Sequence, residues 1–310
     1  MGDPSGIGPE IIAAALPAIC GRAHVTVIGD SWVFSKALRR LARPRVKFSF
    51  DFVEMENVPR AGFAFGRVRK EYGAASLEYV DLALALLKSG RIDCLVTCPV
   101  SKEAVSLASA GFRGHTEYLA RAAGARSTVM MLLNSSLRFG LVTNHCAIKD
   151  VPGRIRLERI IETARLTDIS LKKDFRVCRP RLACCGLNPH ASDHGLFGKE
   201  ERGVIEPALA QLRKKGFWID GPLAADTACA RAREGAYDAV IAMYHDQALI
   251  PLKLTGADSG VNFTAGLPYV RTSPLHGTAF DIAGKGRGSP ASLIAAFETA
   301  RLCCQNLKNA

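Results

Sequence analysis

Histidine is the residue type through which this sequence could do metal chemistry. Three of its seven histidines come after apolar runs typical of buried strands: His145 in TNH, His190 in LNPH and His245 in YHDQ. In open α/β sheets ligands bind beyond the carboxyl ends of strands, where these residues could converge. Three imidazoles with open positions would suit Zn²⁺, Co²⁺, Ni²⁺ or Mn²⁺. Their wide spacing matches no local zinc motif, so separate roles for the three stay an alternative.

A second set of residues could hold an anion. Gly114-His115-Thr116-Glu117 is typical of a glycine turn that opens a helix, where backbone N–H groups favour phosphate or carboxylate. Lys102, Lys253 and Arg271 each follow or end a strand-like run. Each of these cations could instead be a solvated surface residue.

A glycine-rich segment, HGTAFDIAGKG from His276 to Gly286, could let the backbone approach a flat or phosphorylated ligand. It is not the G-x-G-x-x-G fingerprint of Rossmann folds. The opening Gly2–Glu10, GDPSGIGPE, is similar to a phosphate loop but lacks the Lys-Ser/Thr ending of a P-loop. Hydrolysis of a nucleoside triphosphate is therefore not expected.

Short apolar runs alternate with longer segments of helical period, which predicts an α/β fold with a largely parallel or mixed sheet. The predicted strands are 25–29, 46–50, 93–98, 128–133, 181–186 and 238–243, with 137–143 as an edge or antiparallel strand beside 128–133. The predicted helices are 9–20, 31–42, 74–89, 153–173, 199–215 and 289–308.

Composition narrows the class of protein. With 310 residues and 48% hydrophobic content, the chain can bury a sizeable core, which argues against disorder. The net charge of +12 is scattered in short clusters without a DNA-binding motif, which favours an anionic substrate over nucleic acid. Ten cysteines without a C-x-x-C pair, no apolar run of membrane-spanning length and no secretory leader predict a cytoplasmic protein with no membrane partner.

The motifs, taken in order, resemble the 4-hydroxythreonine-4-phosphate dehydrogenase family of vitamin B6 synthesis from residue 2 to about residue 300. The motifs that carry the resemblance are GDPSGIGPE, CPVSKEA, GHTEYLA, TNH, LNPHAS, LFGKEE, YHDQ, GVNFTAGLPYVRTS and HGTAFDIAGKG. The first and last also resemble the dehydrogenases of isopropylmalate and isocitrate. The resemblance implies an isopropylmalate-dehydrogenase-like fold, with two α/β subdomains around a mixed sheet and the active site in the cleft between them.

The resemblance also implies which subdomain binds the cofactor and which binds the metal. We expect residues 1–103 plus 254–310 to form the subdomain with the cofactor loop, and residues 104–253 to carry the metal ligands and the contacts of a homodimer. His145, His190 and His245 would bind one divalent ion (Zn, Co, Mn, Ni or Mg), with one ligand crossing from the partner chain. The expected substrate contacts are His115, Thr116, Lys253, Asn262 and Arg271. The expected contacts of NAD or NADP are Gly186, Asn188, His276, Gly277, Thr278, Ala279 and Asp281. The candidate catalytic groups, which the sequence does not rank, are Asp246, Asp226, Lys102 and His115.

The implied reaction is oxidation of the secondary hydroxyl of 4-phosphohydroxy-L-threonine, followed by decarboxylation to 3-amino-2-oxopropyl phosphate. D-threonate or D-erythronate 4-phosphate, and a cis-dihydrodiol dicarboxylate of terephthalate breakdown, are the alternative substrates. The sequence departs from the family pattern at three places, of which Pro274-Leu275 bears on the choice of substrate. Met1 stands where a short strand normally ends, which is expected of a trimmed or mis-started chain. His194 replaces a usual glycine, and Pro274-Leu275 replaces a usual Val-Asp pair.

Overall fold

The structure is a computed structural model that describes residues 1–41, 49–112 and 114–309. The chain divides into two compact units. Unit 1 is Met1–Gly124 with Pro268–Arg301, and unit 2 is Ala125–Leu267 with Leu302–Ala310. These boundaries lie further along the chain than the expected ones after residues 103 and 253.

Packing and strand pairing explain where the observed boundaries fall. Helix α4 (Lys102–Ala108) lies so close to helix α3 (Lys70–Lys88) that a Cβ at Gly73 would stand 2.0 Å from the Ala104 carbonyl oxygen. This close packing keeps the segment after residue 103 in unit 1. Strand β9 (Val261–Ala265) pairs antiparallel with β4 (Val129–Leu133), which keeps the segment after residue 253 in unit 2.

Unit 1 surrounds one hydrophobic core with helices and two pairs of parallel strands. Its remaining elements are α1 (Gly8–Ile19), β1 (Thr26–Gly29), α2 (Ser31–Leu38), β2 (Asp51–Glu54), β3 (Cys94–Val96), α5 (His115–Ala122) and β10 (Val270–Pro274). Strand β1 pairs with β2, and β3 pairs with β10. Ile11, Leu16 and Tyr72 are among its largest fully buried side chains. Helix α11 (Ala291–Lys308) continues from unit 1 into unit 2.

One predicted strand of unit 1 lies mostly outside the described residues. The sequence predicts a strand at 46–50, of which 46–48 lie outside the described residues. The strand that pairs with β1 is β2, whose first pair is Thr26 with Asp51. Asp51 and Glu54, at the two ends of β2, are exposed, so charged residues are tolerated there. The described part of the prediction, residues 49 and 50, lies directly before β2 and outside it.

Unit 2 is a six-stranded mixed sheet covered by helices. In the order β9-β4-β5-β8-β6-β7, the pairs of β4 with β9 and with β5 are antiparallel and the others are parallel. The elements not yet given are β5 (Arg138–Leu141), α6 (Val151–Arg154), α7 (Leu157–Lys173), β6 (Arg181–Cys185), α8 (Glu206–Lys214), β7 (Trp218–Leu223), α9 (Ala225–Arg233), β8 (Ala239–Ala242) and α10 (His245–Gly256). The predicted antiparallel strand at 137–143 is confirmed as β5.

The core of unit 2 lies between its sheet and the helices α7 and α8. Ile160, Leu182, Leu209 and Ile241 have no exposed surface. Across the described ranges, no helix combines the length and apolar character that crossing a bilayer requires.

Candidate functional site

Two of the three candidate metal-binding histidines lie side by side in unit 2. His145 follows β5 and His245 begins α10 directly after β8, and these two strands are parallel neighbours. Their carboxyl ends therefore meet at one edge of the sheet. The two imidazole rings lie with their centroids 5.3 Å apart and their planes inclined by 40°.

The ring of His245 is oriented by the next residue. Its Nδ1 lies 2.6 Å from Oδ1 of Asp246. Because an ionised carboxylate only accepts hydrogen bonds, Nδ1 is the donor, and Nε2 is then the ring atom suited to a metal. A carboxylate behind a histidine is the usual partner of a metal-binding imidazole.

His190 lies on the connection after β6, which is parallel to β8 and adjacent to it. It is exposed, and its backbone is left-handed at φ 53° and ψ 28°. Over residues 1–41, 49–112 and 114–309, no three His, Cys, Asp or Glu side chains are grouped as metal ligands. The structure of one chain thus brings together His145 and His245, and does not add His190 to them.

The segment 186–195, here called the histidine loop, rests on a buried glutamate. Oε1 of Glu201 accepts the backbone N–H groups of Leu187 and Asn188 at 2.8 and 2.7 Å. Oε2 accepts the Asn188 side-chain amide at 2.9 Å. Glu201 has no exposed surface and begins a π-helical turn, 201–205, that leads into α8. This contact fixes the start of the loop that carries His190.

Gln247 connects the two strand ends that lead to His190 and His245. Its Oε1 accepts the backbone N–H of Met243 at 2.7 Å, and its Nε2 donates to the Gly186 carbonyl at 2.8 Å. The side chain is buried, so both bonds are shielded from water. Sequence reasoning missed the roles of Gln247 and Glu201. The only available signal was their presence in YHDQ and LFGKEE.

The other predicted site residues of unit 2 are distributed around the same sheet. Asp226 lies exposed in the first turn of α9, where its Oδ1 accepts the Thr227 N–H, and Lys253 lies exposed on α10. Asn262 lies on β9 with its Oδ1 buried and unpaired. Gly186 uses both backbone groups within the protein, and Asn188 donates its amide to Glu200 and Glu201. The last two residues therefore have a structural role in holding the histidine loop.

Unit 1 holds the candidate anion-binding residues around the start of α5. Arg271 on β10 is only 2% exposed, and its Nη2 donates to Thr97 Oγ1 at 2.7 Å. Burial lowers the pKa of Arg271 to about 10, while Tyr269 and Glu117 oppose this shift. The Lys102 side chain reaches the same place, because a Cβ at Gly114 would lie 3.5 Å from its Cε.

His115 is held neutral in this cationic surrounding. Burial, together with the positive charges of Arg271 and Lys102, lowers its pKa to about 3. Its Nε2 is buried without a hydrogen-bond partner, and Thr116 beside it is buried. A buried arginine, a nearby lysine and an unpaired imidazole atom suit an anion with several oxygen acceptors, such as phosphate.

The predicted cofactor residues of unit 1 form a turn against the opening segment of the chain. The carbonyl of Thr278 accepts the Ile7 N–H at 3.0 Å, and Ala279 has a left-handed backbone at φ 44°. His276 has a buried, unpaired Nε2, and burial lowers its pKa. A Cβ added at Gly277 would have open space around it, with no atom within 4 Å, and Asp281 is exposed.

Glu10 anchors the end of this turn, a role that sequence reasoning also missed. Its buried carboxylate accepts backbone N–H groups of Gly284, Gly286 and Gly288. The alternating glycines were visible in the sequence, but nothing there names their partner.

Comparison with known proteins identifies the family. The family model "Pyridoxal phosphate biosynthetic protein PdxA" matches residues 21–300. A 4-hydroxythreonine-4-phosphate dehydrogenase of Geobacter metallireducens is 43% identical over 96% of this chain and 92% of its own. A putative D-threonate 4-phosphate dehydrogenase of Symbiobacterium thermophilum is 37% identical over 94% and 92%. The crystal structure of 4-hydroxythreonine-4-phosphate dehydrogenase from Klebsiella pneumoniae is 36% identical, with a TM-score of 0.88 over 98% of both chains.

These matches confirm the predicted α/β fold and the prediction of a dehydrogenase. They cover 94% to 98% of this chain at 36% to 43% identity. The chain belongs to the family of the pyridoxal phosphate biosynthetic protein PdxA.

Proposed function

We propose that this protein oxidises the secondary hydroxyl of 4-phosphohydroxy-L-threonine with NAD⁺ or NADP⁺. The resulting 3-oxo acid loses CO₂ to give 3-amino-2-oxopropyl phosphate. The observation that carries the proposal is the cluster of two cations, Lys102 and Arg271, with the neutral His115, in a member of this family. Nε2 of His115 is buried without a hydrogen-bond partner beside two positive charges, and a phosphate would supply both the missing partner and the negative charge.

The phosphate end of the substrate would be bound by unit 1. Arg271 is pre-oriented by Thr97, and its planar guanidinium can form paired hydrogen bonds with phosphate oxygens. Lys102, in the first turn of α4, adds an exposed positive charge. Thr116 contributes a hydroxyl at the start of α5, and Lys253 and Asn262 of unit 2 are the further proposed contacts of the substrate.

His145, His190 and His245 are the proposed metal ligands. The imidazole pair and the orientation of His245 by Asp246 fit a divalent cation such as Zn²⁺, Co²⁺, Ni²⁺ or Mn²⁺. A cation bound there would act as a Lewis acid on the substrate hydroxyl and on the ketone that replaces it. We expect one of the three ligands to come from the partner chain of a homodimer. This would explain why one chain does not bring the three histidines together.

The substrate hydroxyl must lose a proton as its hydride leaves. Of the four candidate groups, Asp246 is engaged by His245 and Asp226 by its own helix terminus. His115 is neutral and keeps a buried, unpaired Nε2, which favours it as a group that meets the substrate. Lys102 stays the alternative base. The residues His276, Gly277, Thr278, Ala279 and Asp281 are the proposed contacts of the adenosine side of the dinucleotide.

We also propose a homodimer, because unit 2 exposes large apolar side chains beside the candidate metal site. Ile250 and Leu254 lie one turn apart on α10 and are 59% and 82% exposed, and Leu196 follows the histidine loop at 72%. Changing Leu254 to Asp should shift the mass measured by light scattering towards the monomer. All ten cysteines are free thiols, which supports the proposal of a reducing, cytoplasmic compartment.

The test is NADH or NADPH formation by metal-supplemented protein with three substrates in parallel. They are 4-phosphohydroxy-L-threonine, D-threonate 4-phosphate and D-erythronate 4-phosphate. Turnover of the first above the others supports the proposal. The Symbiobacterium relative and the Pro274-Leu275 departure favour the sugar-acid phosphates as the second candidate. Preference for either of them would overturn the first assignment. Silence on all three, with metal bound, would direct the search to dihydrodiol dicarboxylates.

A further inference from the structure

The carboxylate of Glu10 is the centre of a hydrogen-bond cluster whose donors all come from one glycine-rich strip. Oε2 accepts the N–H groups of Gly284 and Gly286 at 3.0 and 3.2 Å, and Oε1 accepts the N–H of Gly288 at 2.6 Å. Glu10 has no exposed surface, and it lies on α1 of the same unit. Hydrogen bonds to a buried charged acceptor are stronger than those between neutral groups.

Backbone conformation and packing call for glycine at two of the three positions. Gly284 and Gly286 have φ values of 73° and 66°, which residues with a side chain rarely adopt. A Cβ at Gly284 would lie 2.4 Å from Cδ2 of Phe65, and one at Gly286 would lie 2.5 Å from the Arg40 carbonyl oxygen. A Cβ at Gly288 would lie 3.0 Å from Oε1 of Glu10 itself. Packing and charge therefore hold the strip against α1.

The two residues between the glycines point towards solvent. Lys285 and Arg287 are exposed, while Gly284, Gly286 and Gly288 are half-buried. The glycine N–H groups are consequently occupied from inside and are not offered to a phosphate, as they would be in an anion-binding glycine loop. What remains for a ligand is the outer face of the turn before the strip.

The strip is continuous with the turn that carries the proposed dinucleotide contacts. The N–H groups of Ile282 and Ala283 both donate to the Ala279 carbonyl, and the N–H of Lys285 donates to the Ile282 carbonyl. Ala283 is buried in the core of unit 1. Because these bonds run from residue 279 to the strip, displacing the strip from Glu10 would also displace the turn.

We propose that Glu10 is a positioning residue, which holds the segment 276–288 in the conformation that receives the adenosine part of the dinucleotide. This role rests on the proposed function. Glu10 touches neither substrate nor reacting atoms. Its contribution is to fix the backbone beforehand, so that binding does not have to order a mobile glycine-rich segment.

The direct test compares Glu10→Gln with wild type. A glutamine keeps one oxygen and turns an NH₂ group towards the other N–H donors, so at least one buried donor loses its partner. We expect the Kd and KM for NAD⁺ to rise about tenfold, equivalent to roughly 1.4 kcal/mol. The KM of the phosphorylated substrate and kcat should stay within about twofold. Glu10→Asp, which keeps the charge at shorter reach, should fall between the two.

Glu298→Gln is the matched control. It removes the same charge from unit 1, where Glu298 pairs with Arg22 and Arg301 on the surface. Surface ion pairs contribute little, so NAD⁺ binding should stay within about twofold of wild type. Equal binding of NAD⁺ by wild type and Glu10→Gln would overturn the proposal. A wild type that binds neither NAD⁺ nor NADP⁺ would overturn the proposed function instead.

Hydrogen exchange of the wild type provides a reading that does not depend on a folded variant. The amides of Gly284, Gly286 and Gly288 should be protected in the absence of dinucleotide, since Glu10 already accepts them. In Glu10→Gln they should exchange faster, while the amides in the middle of α1 keep their rate. Exchange of the three wild-type amides at the rate of an open loop would overturn the proposal.

Discussion

The glycine-rich segment 276–288 of unit 1 and the histidine loop 186–195 of unit 2 are anchored alike and built differently. Each rests on a buried glutamate, Glu10 or Glu201, that accepts backbone N–H groups. The first segment has glycines at the strip that contacts its glutamate. The second has five successive residues other than glycine at positive φ, from His190 to His194.

The difference in backbone conformation fits the roles proposed for the two loops. A left-handed conformation costs roughly 1–2 kcal/mol for a residue with a Cβ and almost nothing for glycine. The glycine strip avoids this cost, and its backbone N–H groups are bound by Glu10. The histidine loop retains the cost, which fits its proposed role of presenting side chains, His190 among them. The hydrogen bonds of Glu201 therefore offset backbone strain in the histidine loop. Those of Glu10 restrict the conformational freedom of glycines.

Removing a proposed metal ligand should have the largest effect on turnover. It should impair metal binding by unit 2 without impairing dinucleotide binding by unit 1. His245→Ala is expected to lower turnover by more than about 100-fold, since even the outer partners of metal ligands are worth 10–100-fold. Bound metal, measured by mass spectrometry, should fall with it, while NAD⁺ binding to unit 1 persists. His24→Ala, at an exposed histidine paired with Asp51, should leave both unchanged. Full metal content and turnover in His245→Ala would remove this histidine from the metal site.

Glu201→Gln tests whether the histidine loop depends on its anchor more than the glycine strip does. We expect the free energy of unfolding to fall by about 1–3 kcal/mol, because a buried N–H of Leu187 or Asn188 loses its acceptor. Denaturant titration would measure the loss. Glu206→Gln, at an exposed position on α8, should change it by less than about 0.5 kcal/mol. An equal or larger loss in Glu10→Gln would contradict the ordering of the two anchors.

The buried His115 of unit 1 should make the stability of the fold depend on acid. The pKa of His115 is lowered to about 3 from 6.5 by burial and the neighbouring cations. Below pH 6.5 the unfolded chain binds a proton there that the folded chain does not, so stability falls as the pH drops towards 3. His115→Gln should lose less stability than wild type between pH 6.5 and pH 4. Identical pH profiles would show that His115 titrates normally, and NMR of its ring nitrogens would decide directly.

The smallest expected effect concerns backbone strain in the histidine loop. His194 has φ 57°, and His194→Gly should stabilise the fold by about 0.5–1 kcal/mol through relief of this conformation. Glu56→Gly, at φ 51° in unit 1, is the reference for the same relief outside the loop. A gain at Glu56 without one at His194 would mean that contacts of the loop already offset its strain. Thermal unfolding of both variants would give the comparison.

Local patterns predicted the alternation of strands and helices and placed three histidines after strand ends. The apolar period and the glycine and proline signals are short-range, so one sequence suffices to read them. Strand β7 escaped because its Asp220, Gly221 and Pro222 are typical of loops, and Pro is tolerated since β7 ends the strand order. The roles of Glu10, Glu201 and Gln247 escaped for another reason. Their partners are backbone groups, up to 278 residues away for Glu10, which carry no residue-specific signal.

The pairing of β5 with β8 also sets the time at which a metal site can first exist during folding. Near the two histidines, the hydrogen bond from Thr143 Oγ1 to the Met243 carbonyl spans 100 residues of chain. Contacts between such distant segments form late, because closing a large loop costs chain entropy before the contacts can stabilise it. His145 and His245 are neighbours only once that closure is complete. A divalent ion that requires both rings would therefore leave early folding intermediates unaffected and slow the unfolding of the finished sheet.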